Sequence, residues 1–238
     1  MREKYQAWWS SKQDAGHRFQ TEDWFEKNAN ELSCLFPKGG TLVDVGCGNA
    51  QLLTYLAPHY DQVVGIDFTP SMLEVARKRV EAFGLKNVRL ELGDACQFPA
   101  AVSRADLILS NQVAQNLAAA EIRLHLQECN RVLAPLGAVG ICGVPWLNLR
   151  NWYYSGGRHR VLGRLSALEG LRTLRRRGGL FLSRLRGEVM ADDIGLWYSR
   201  EEIGAIASAA GFDCDTVTAW HYEYRFHARL RRRGKPSS

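Results

Sequence analysis

Three acids, Asp44, Asp67 and Asp94, each close an apolar run, and the first is followed at once by Gly46, Cys47 and Gly48. Carboxylates accept hydrogen bonds from hydroxyls and amines, and glycines let a backbone come close to a ligand. Set at strand ends, this group could hold a polar, nucleotide-like molecule along one edge of a sheet. Two common alternatives fail on spacing. A dinucleotide turn wants a third glycine where Gln51 stands, and a phosphate loop needs a GK[ST] that does not follow. Asp67 lies 19 residues after Gly48, where a carboxylate can accept both hydroxyls of a ribose. Asp94 is a further acid that no dinucleotide pattern contains.

The elements that must position these residues alternate. Strand-like runs occupy 41–45, 62–67, 88–94, 105–110 and 137–144, with helical spacing over 49–57, 70–83 and 117–134. Pro70 suits a first helical turn after Thr69. Strand and helix repeated this way predict a parallel sheet with helices on both faces. Residues 1–36 read as two aromatic-rich helices, the second starting near Thr21. Residues 198–212 read as a capped helix, with Ser199 ahead of Glu201 and Glu202 and Gly211 at its end. Two β-rich segments follow, DCDTVTAW and EYRFHARL.

The expected architecture is α/β, a Rossmann-like seven-stranded sheet of five parallel strands plus a closing pair, with a helical cap. Its parts are an N-terminal cap (1–36), a ligand-binding core (37–144), an Arg-rich insert (145–195), a C-terminal helix with the closing strands (196–230) and a basic tail (231–238). Hydrophobic content of 46% and charged content of 24% fit a globular protein of 238 residues. The N-terminus lacks the apolar centre of a signal peptide, so a cytoplasmic location is expected. Six scattered cysteines show no metal or disulfide spacing, and no metal is expected.

In order, DVGCGNA, GIDFTPSML, LGDACQFP, ADLILSN and QECNRVLAPLGAV resemble the class I S-adenosylmethionine-dependent methyltransferases. YSREEIGAIASAAGFD is similar to the later helix and strand of the UbiE/UbiG-like small-molecule methyltransferase group. The resemblance covers 40–144 and resumes at 198. It implies S-adenosyl-L-methionine as cofactor and a place for each motif residue. Asp44 would engage the methionine ammonium, directly or through water, and Gly46, Cys47 and Gly48 would form the turn beneath the cofactor. Asp67 would hold the ribose and Phe68 would pack on the adenine. Asp94 would accept from adenine N6, with the Ala95 N–H facing a ring nitrogen. Ser110 and Asn111 would face the methionine part and the substrate.

Methyl transfer from a sulfonium is an in-line displacement, so the protein chiefly aligns and desolvates the nucleophile, and a hydroxyl acceptor gains from a base. His221 and His159 are the candidates, with His17 behind them. Relatives often carry histidines after the fourth strand, where this chain has Gln112, Gln115 and Asn116. Asp192 and Asp193 read as a helix cap. The stretch 148–189 holds ten arginines, no lysine and two acids. Its Arg172, Arg175, Arg176 and Arg177 could meet an anion: a carrier-linked or lipid-linked small-molecule substrate, an anionic membrane surface touched peripherally, or RNA. RNA is disfavoured for want of any RNA-binding module, and DNA is not expected. The expected function is methylation of a small biosynthetic acceptor at oxygen. Nitrogen or carbon transfer, or a non-catalytic cofactor-binding module docking through the insert, are the alternatives.

Overall fold

The computed structural model describes residues 22–154 and 194–234. Thr21, His17 and the first N-terminal helix, most of the insert with His159, Arg172, Arg175, Arg176 and Arg177, the pair Asp192 and Asp193, and the end of the tail lie outside the described residues.

Helix α1 (Glu22–Leu35) precedes β1 (Thr41–Val45). A turn and the short α2 (Leu53–Leu56) then lead to β2 (Gln62–Asp67), α3 (Pro70–Ala82), β3 (Val88–Leu92), β4 (Ala105–Asn111), α4 (Ala119–Val132) and β5 (Leu133–Pro145). After α5 (Arg150–Tyr154) the described chain resumes with α6 (Arg200–Ala209), β6 (Phe212–Thr218) and β7 (Arg225–Arg232). One seven-stranded sheet results, in the order β3-β2-β1-β4-β5-β7-β6. The first five strands are parallel, and β7 runs antiparallel to both β5 and β6. The closing pair is therefore one reversed strand and one, β6, that again points with the first five. The loop between them emerges at the carboxyl edge of the parallel strands.

Both faces are covered, which is why the central strands are nearly all apolar. Leu42, Leu107, Leu109 and Cys142 pack under Phe25, Leu32 and Phe36 of the α1 region and Leu53 and Leu73 beyond it. Val43, Ile108, Val139 and Ile141 pack under Ile122 and Leu126 of α4 and Ile203 of α6. Side chains alternate along a strand, so the register assigns every polar residue to one layer or the other. Asp44 pairs with Leu109, and Asn111 pairs with Cys142. Asp44, Asn111 and Cys142 thus share the α1 face, while Ser110 faces α4. A Cβ on Gly140 would stand 2.5 Å from the Phe36 ring, so α1 closes directly on β5 there.

Two elements differ from the sequence reading. The expected helix over 49–57 shrinks to Leu53–Leu56, because Gly46, Gly48 and Ala50 all take positive φ and keep the chain in a turn. Strand β5 begins at Leu133 instead of 137, since Leu133 pairs with Ala105 before the register shifts. The Ser199 cap forms as expected: Ser199 Oγ accepts the Glu202 N–H at 3.1 Å and the Ser199 N–H bonds Glu202 Oε2 at 2.7 Å. Ser199→Ala is expected to cost about 1 kcal/mol and lower Tm by about 2–4 °C in calorimetry.

Candidate active site

The turn after β1 is tied to the end of β2. Gly46 and Cys47 both donate their N–H groups to the Ile66 carbonyl, at 2.7 and 3.0 Å. Gly48 donates to Asp67 Oδ2 at 2.9 Å, and Thr69 donates to Asp67 Oδ1 at 2.9 Å. Asp67 also takes bonds from the Thr69 side chain and the Phe68 backbone, so donors of the turn after β2 hold its carboxylate in place. Burial pushes the Asp67 carboxyl up, with the Thr69 and Gly48 bonds opposing it. At Gly46 (φ +76°) a Cβ would meet Val113 at 2.5 Å, whereas at Gly48 (φ +55°) it would meet nothing within 4 Å. The turn is packed on one side and open on the other.

Asp44 lies 2% exposed beneath this turn. Burial, then the negative charge of Asp67, pushes its carboxyl up to about 7. A cation at this spot would relieve both causes. Cys47 turns inward, its sulfur near the open face of Gly65, and burial raises its thiol well above the usual range. Phe68 is half-buried after β2. Beyond β3, Asp94 Oδ1 accepts the Cys96 N–H at 2.7 Å, and the Ala95 carbonyl accepts from His125 Nδ1 at 2.8 Å. The open Gly48, the strand-end carboxylate of Asp67 and the buried Asp44 fit a ligand that carries hydroxyls and a cation.

Ser110 sits differently from the expectation. It is 1% exposed, and its hydroxyl is 2.7 Å from Nε2 of the buried His125. The His125 Nδ1 bonds the Ala95 carbonyl, so Nε2 is the acceptor and Ser110 the donor. Burial lowers the affinity of His125 for a second proton, against the pull of the Ala95 bond and of Asp94 and Glu128. Strand parity is the reason: Ser110 belongs to the α4 layer and Asn111 to the cleft.

Around the β6–β7 loop the structure assembles residues that the sequence did not single out. Glu31 of α1 is 1% exposed and takes three donors. The Trp220 N–H meets Oε1 at 2.5 Å, His227 Nε2 meets Oε1 at 3.2 Å, and His221 Nδ1 meets Oε2 at 2.8 Å. Burial alone would raise the Glu31 carboxyl, but these bonds from His227, Trp220 and His221 hold it below its ordinary range. A bulge in β5 between Ile141 and Val144 frees Gly143 from the ladder. Its N–H reaches His227 Nδ1 at 3.3 Å, and its carbonyl accepts from Arg225 Nη1.

Arg225 is 3% exposed and also donates to Gln115 Oε1 at 2.7 Å. Its guanidinium lies 5.0 and 5.2 Å from the ring centroids of Tyr222 and Tyr224. Tyr224 in turn packs on Tyr153 and Trp197, at 4.5 and 5.9 Å between centroids. No acid pairs with Arg225 among the described residues. The buried basic group at this wall is thus a single arginine from β7, and the only hint in the sequence was its place after the aromatic loop HYEY. Tyr198 bonds the Leu117 carbonyl through its hydroxyl, and Trp146 lies under the Arg200 guanidinium at 4.2 Å.

Residues 42–137 match the family model of a methyltransferase domain. A demethylmenaquinone methyltransferase of Geobacillus stearothermophilus is 33% identical over 108 residues, covering 44% of this chain and 45% of that protein. An arsenite methyltransferase of Halobacterium salinarum is 34% identical over 121 residues, 49% of this chain and 30% of that one. The chain spans about half the length, or less, of these curated relatives. Among solved structures, phosphoethanolamine N-methyltransferase 1 of Haemonchus contortus, in complex with phosphoethanolamine and S-adenosylhomocysteine, shares the fold at a TM-score of 0.70 and 15% identity, covering 100% of this chain and 50% of that chain. The DhpI complex with S-adenosylhomocysteine does so at 0.64 and 14%, over 98% and 95%. Sheet order, glycine turn, paired strand-end acids and domain match agree: residues 42–137 are a methyltransferase domain, and the sheet they share with the closing strands has the fold of the class I S-adenosylmethionine-dependent methyltransferases.

Proposed function

We propose that the protein transfers a methyl group from S-adenosylmethionine to an oxygen of a small-molecule acceptor. The observation that carries this is the open turn at Gly48 beside Asp67, with Asp44 buried at its foot. Asp67, closing β2 beside the open Gly48, is the carboxylate placed to meet the ribose hydroxyls, and Asp44 supplies the counter-charge for the methionine ammonium. Phe68 packs on the adenine, and Asp94 with the Ala95 N–H reads its edge. Gly46 shapes the turn against Val113, and Cys47 contributes shape through its backbone. Asn111, on the cleft face of β4, borders the methionine part and the acceptor. The cofactor brings an activated methyl group, so the chain's own work is alignment, exclusion of water and removal of a proton.

His221 takes that proton in this reading. It stands on the loop at the carboxyl edge with 17% of its side chain exposed, and Glu31 holds its Nδ1. The aromatic wall of Tyr153, Trp197, Tyr222 and Tyr224 suits a planar or apolar acceptor, and the buried Arg225 suits one that also carries negative charge. His159 and the insert arginines remain candidates for contact with a carrier-linked or lipid-linked acceptor or with a membrane surface. Among the described residues no helix is long and apolar enough to cross a membrane. Transfer to nitrogen or carbon is the second reading; the phosphoethanolamine enzyme that shares the fold is by name an N-methyltransferase.

Labelled S-adenosylmethionine incubated with protein and a producer-cell extract, partitioned into small-molecule, lipid, protein and RNA pools, tests the acceptor class. Label in the small-molecule or lipid pool is expected, and label in RNA would overturn it. On the acceptor so found, His221→Gln should lower kcat by about 100-fold while leaving the affinity for S-adenosylmethionine unchanged. Asp67→Ala should weaken S-adenosylhomocysteine binding by about 1–3 kcal/mol, read by calorimetric titration. Asp44 binds a proton more tightly folded than unfolded, so its contribution to stability falls as pH rises from about 4 to about 7 and levels off above. The fall is about 1.4 kcal/mol per pH unit within that window. Urea titrations of the ligand-free protein should therefore show a slope that Asp44→Asn removes.

A further inference from the structure

We propose that Glu31 is a positioning residue that fixes His221 as the tautomer protonated on Nδ1, leaving the Nε2 lone pair to take the acceptor's proton. This rests on the hydroxyl methylation proposed above. The hydrogen bonds define the protons. Backbone N–H groups only donate, so the bond from Gly143 makes His227 Nδ1 an acceptor and puts the His227 proton on Nε2, facing Glu31 Oε1. That oxygen also takes the Trp220 N–H. Glu31 Oε2 is left for His221, and a carboxylate can only accept, so His221 Nδ1 carries a proton.

The neutral form of His221 then has its lone pair on Nε2. A carboxylate with fewer partners could swing away. Here His227 and the Trp220 N–H pin it, which makes the orientation of the His221 ring a property of three elements, α1, β7 and the β6–β7 loop.

The arrangement sits beside the cofactor end of the cleft. Burial raises the Cys142 thiol, and the carboxylates of Glu31 and then Asp44 raise it further, so Cys142 lies near both acids. Cys142 is the register partner of Asn111 at the end of β4. Among the described residues, the titratable groups bonded to or acted on by this carboxylate are His221 from the loop, His227 from β7 and Cys142 from β5. In the transfer step the acceptor oxygen's electron pair forms the new O–C bond as the C–S bond of the sulfonium breaks and its pair stays on sulfur. The hydroxyl proton passes to His221 Nε2 and then to solvent.

The tautomer can be read without knowing the acceptor. Protein labelled with 15N-histidine, saturated with S-adenosylhomocysteine, is examined by long-range 1H–15N correlation across pH 5–9, with His221→Gln and His227→Gln for assignment. His221 should show a protonated Nδ1 and a bare Nε2, and His227 the reverse. A bare Nδ1 on His221 in the wild type overturns the proposal. In Glu31→Gln, with S-adenosylhomocysteine affinity as the check that the cleft is intact, the His221 preference should be lost. An unchanged tautomer would overturn the proposal, and if this variant loses affinity the wild-type tautomer decides alone. On the acceptor from the partition assay, Glu31→Gln should lower kcat at least about tenfold, with KM for S-adenosylmethionine unchanged. A correct tautomer with no transfer in any pool would refute the methyltransferase reading separately.

Discussion

A parallel strand covered by helices on both faces has no side on which a polar group can meet water, so its chemistry is driven to its end. That constraint organises this protein. Leu42, Val43 and Val45 are all within 1% of complete burial, and the acid among them, Asp44, is 2% exposed one residue before the strand stops. The same holds at Asp67 on β2 and at Ser110 and Asn111 on β4. Because β6 rejoins the parallel direction, the loop leading into β7 arrives at this edge too, and it brings His221 and Tyr222 with it. The antiparallel β7 then starts there, which is how Arg225 and His227 come to line the cleft.

Alternation decides which of the edge residues can act. Asp44, Asn111 and Cys142 share the face under α1, and Phe226, Ala228 and Leu230 on the opposite face of β7 leave Arg225 and His227 pointing the same way as those three. A shift of one residue would exchange the two sets. The bulge at Cys142 and Gly143 adds a local exception. It releases one backbone N–H and one carbonyl from the ladder, and two side chains of β7 use them. Polar backbone in a core must find a partner, and here the partners are Arg225 and His227 of β7.

Glu31 shows how far a helix outside the nucleotide-binding core contributes. A buried carboxylate is costly unless donors surround it, and three donors do. Those donors come from the loop and strand at the far end of the chain, about 190 residues away in sequence. The N-terminal cap thus completes the cleft in addition to covering the core.

The nucleotide-binding half was legible in the amino-acid sequence because its signals are local. A turn of glycines after an apolar strand, an acid closing the next strand and proline at a helix start each follow from neighbouring residues, and β2 and α3 lie where the spacing put them. The Ser199 cap was legible for the same reason. The length of the helix after the glycine turn was not, since three alternate positive-φ positions, Gly46, Gly48 and Ala50, belong to a turn tied by bonds to Ile66 and Asp67 across the sheet. Ser110 and Asn111 looked alike as a pair, and only the register of β1 against β4 turned one to the core and the other to the cleft. His221 could be named from its place between two β-rich segments. Its partners could not, because nothing in the pattern of EDWFEKNANELSCL marks Glu31 as different from the exposed acids of the same helix. The sequence by itself determined the fold and the cofactor turn, whose residues are neighbours in the chain. The tertiary structure alone decided the acceptor side, where α1, the β5 bulge and β7 meet through contacts that no local pattern encodes.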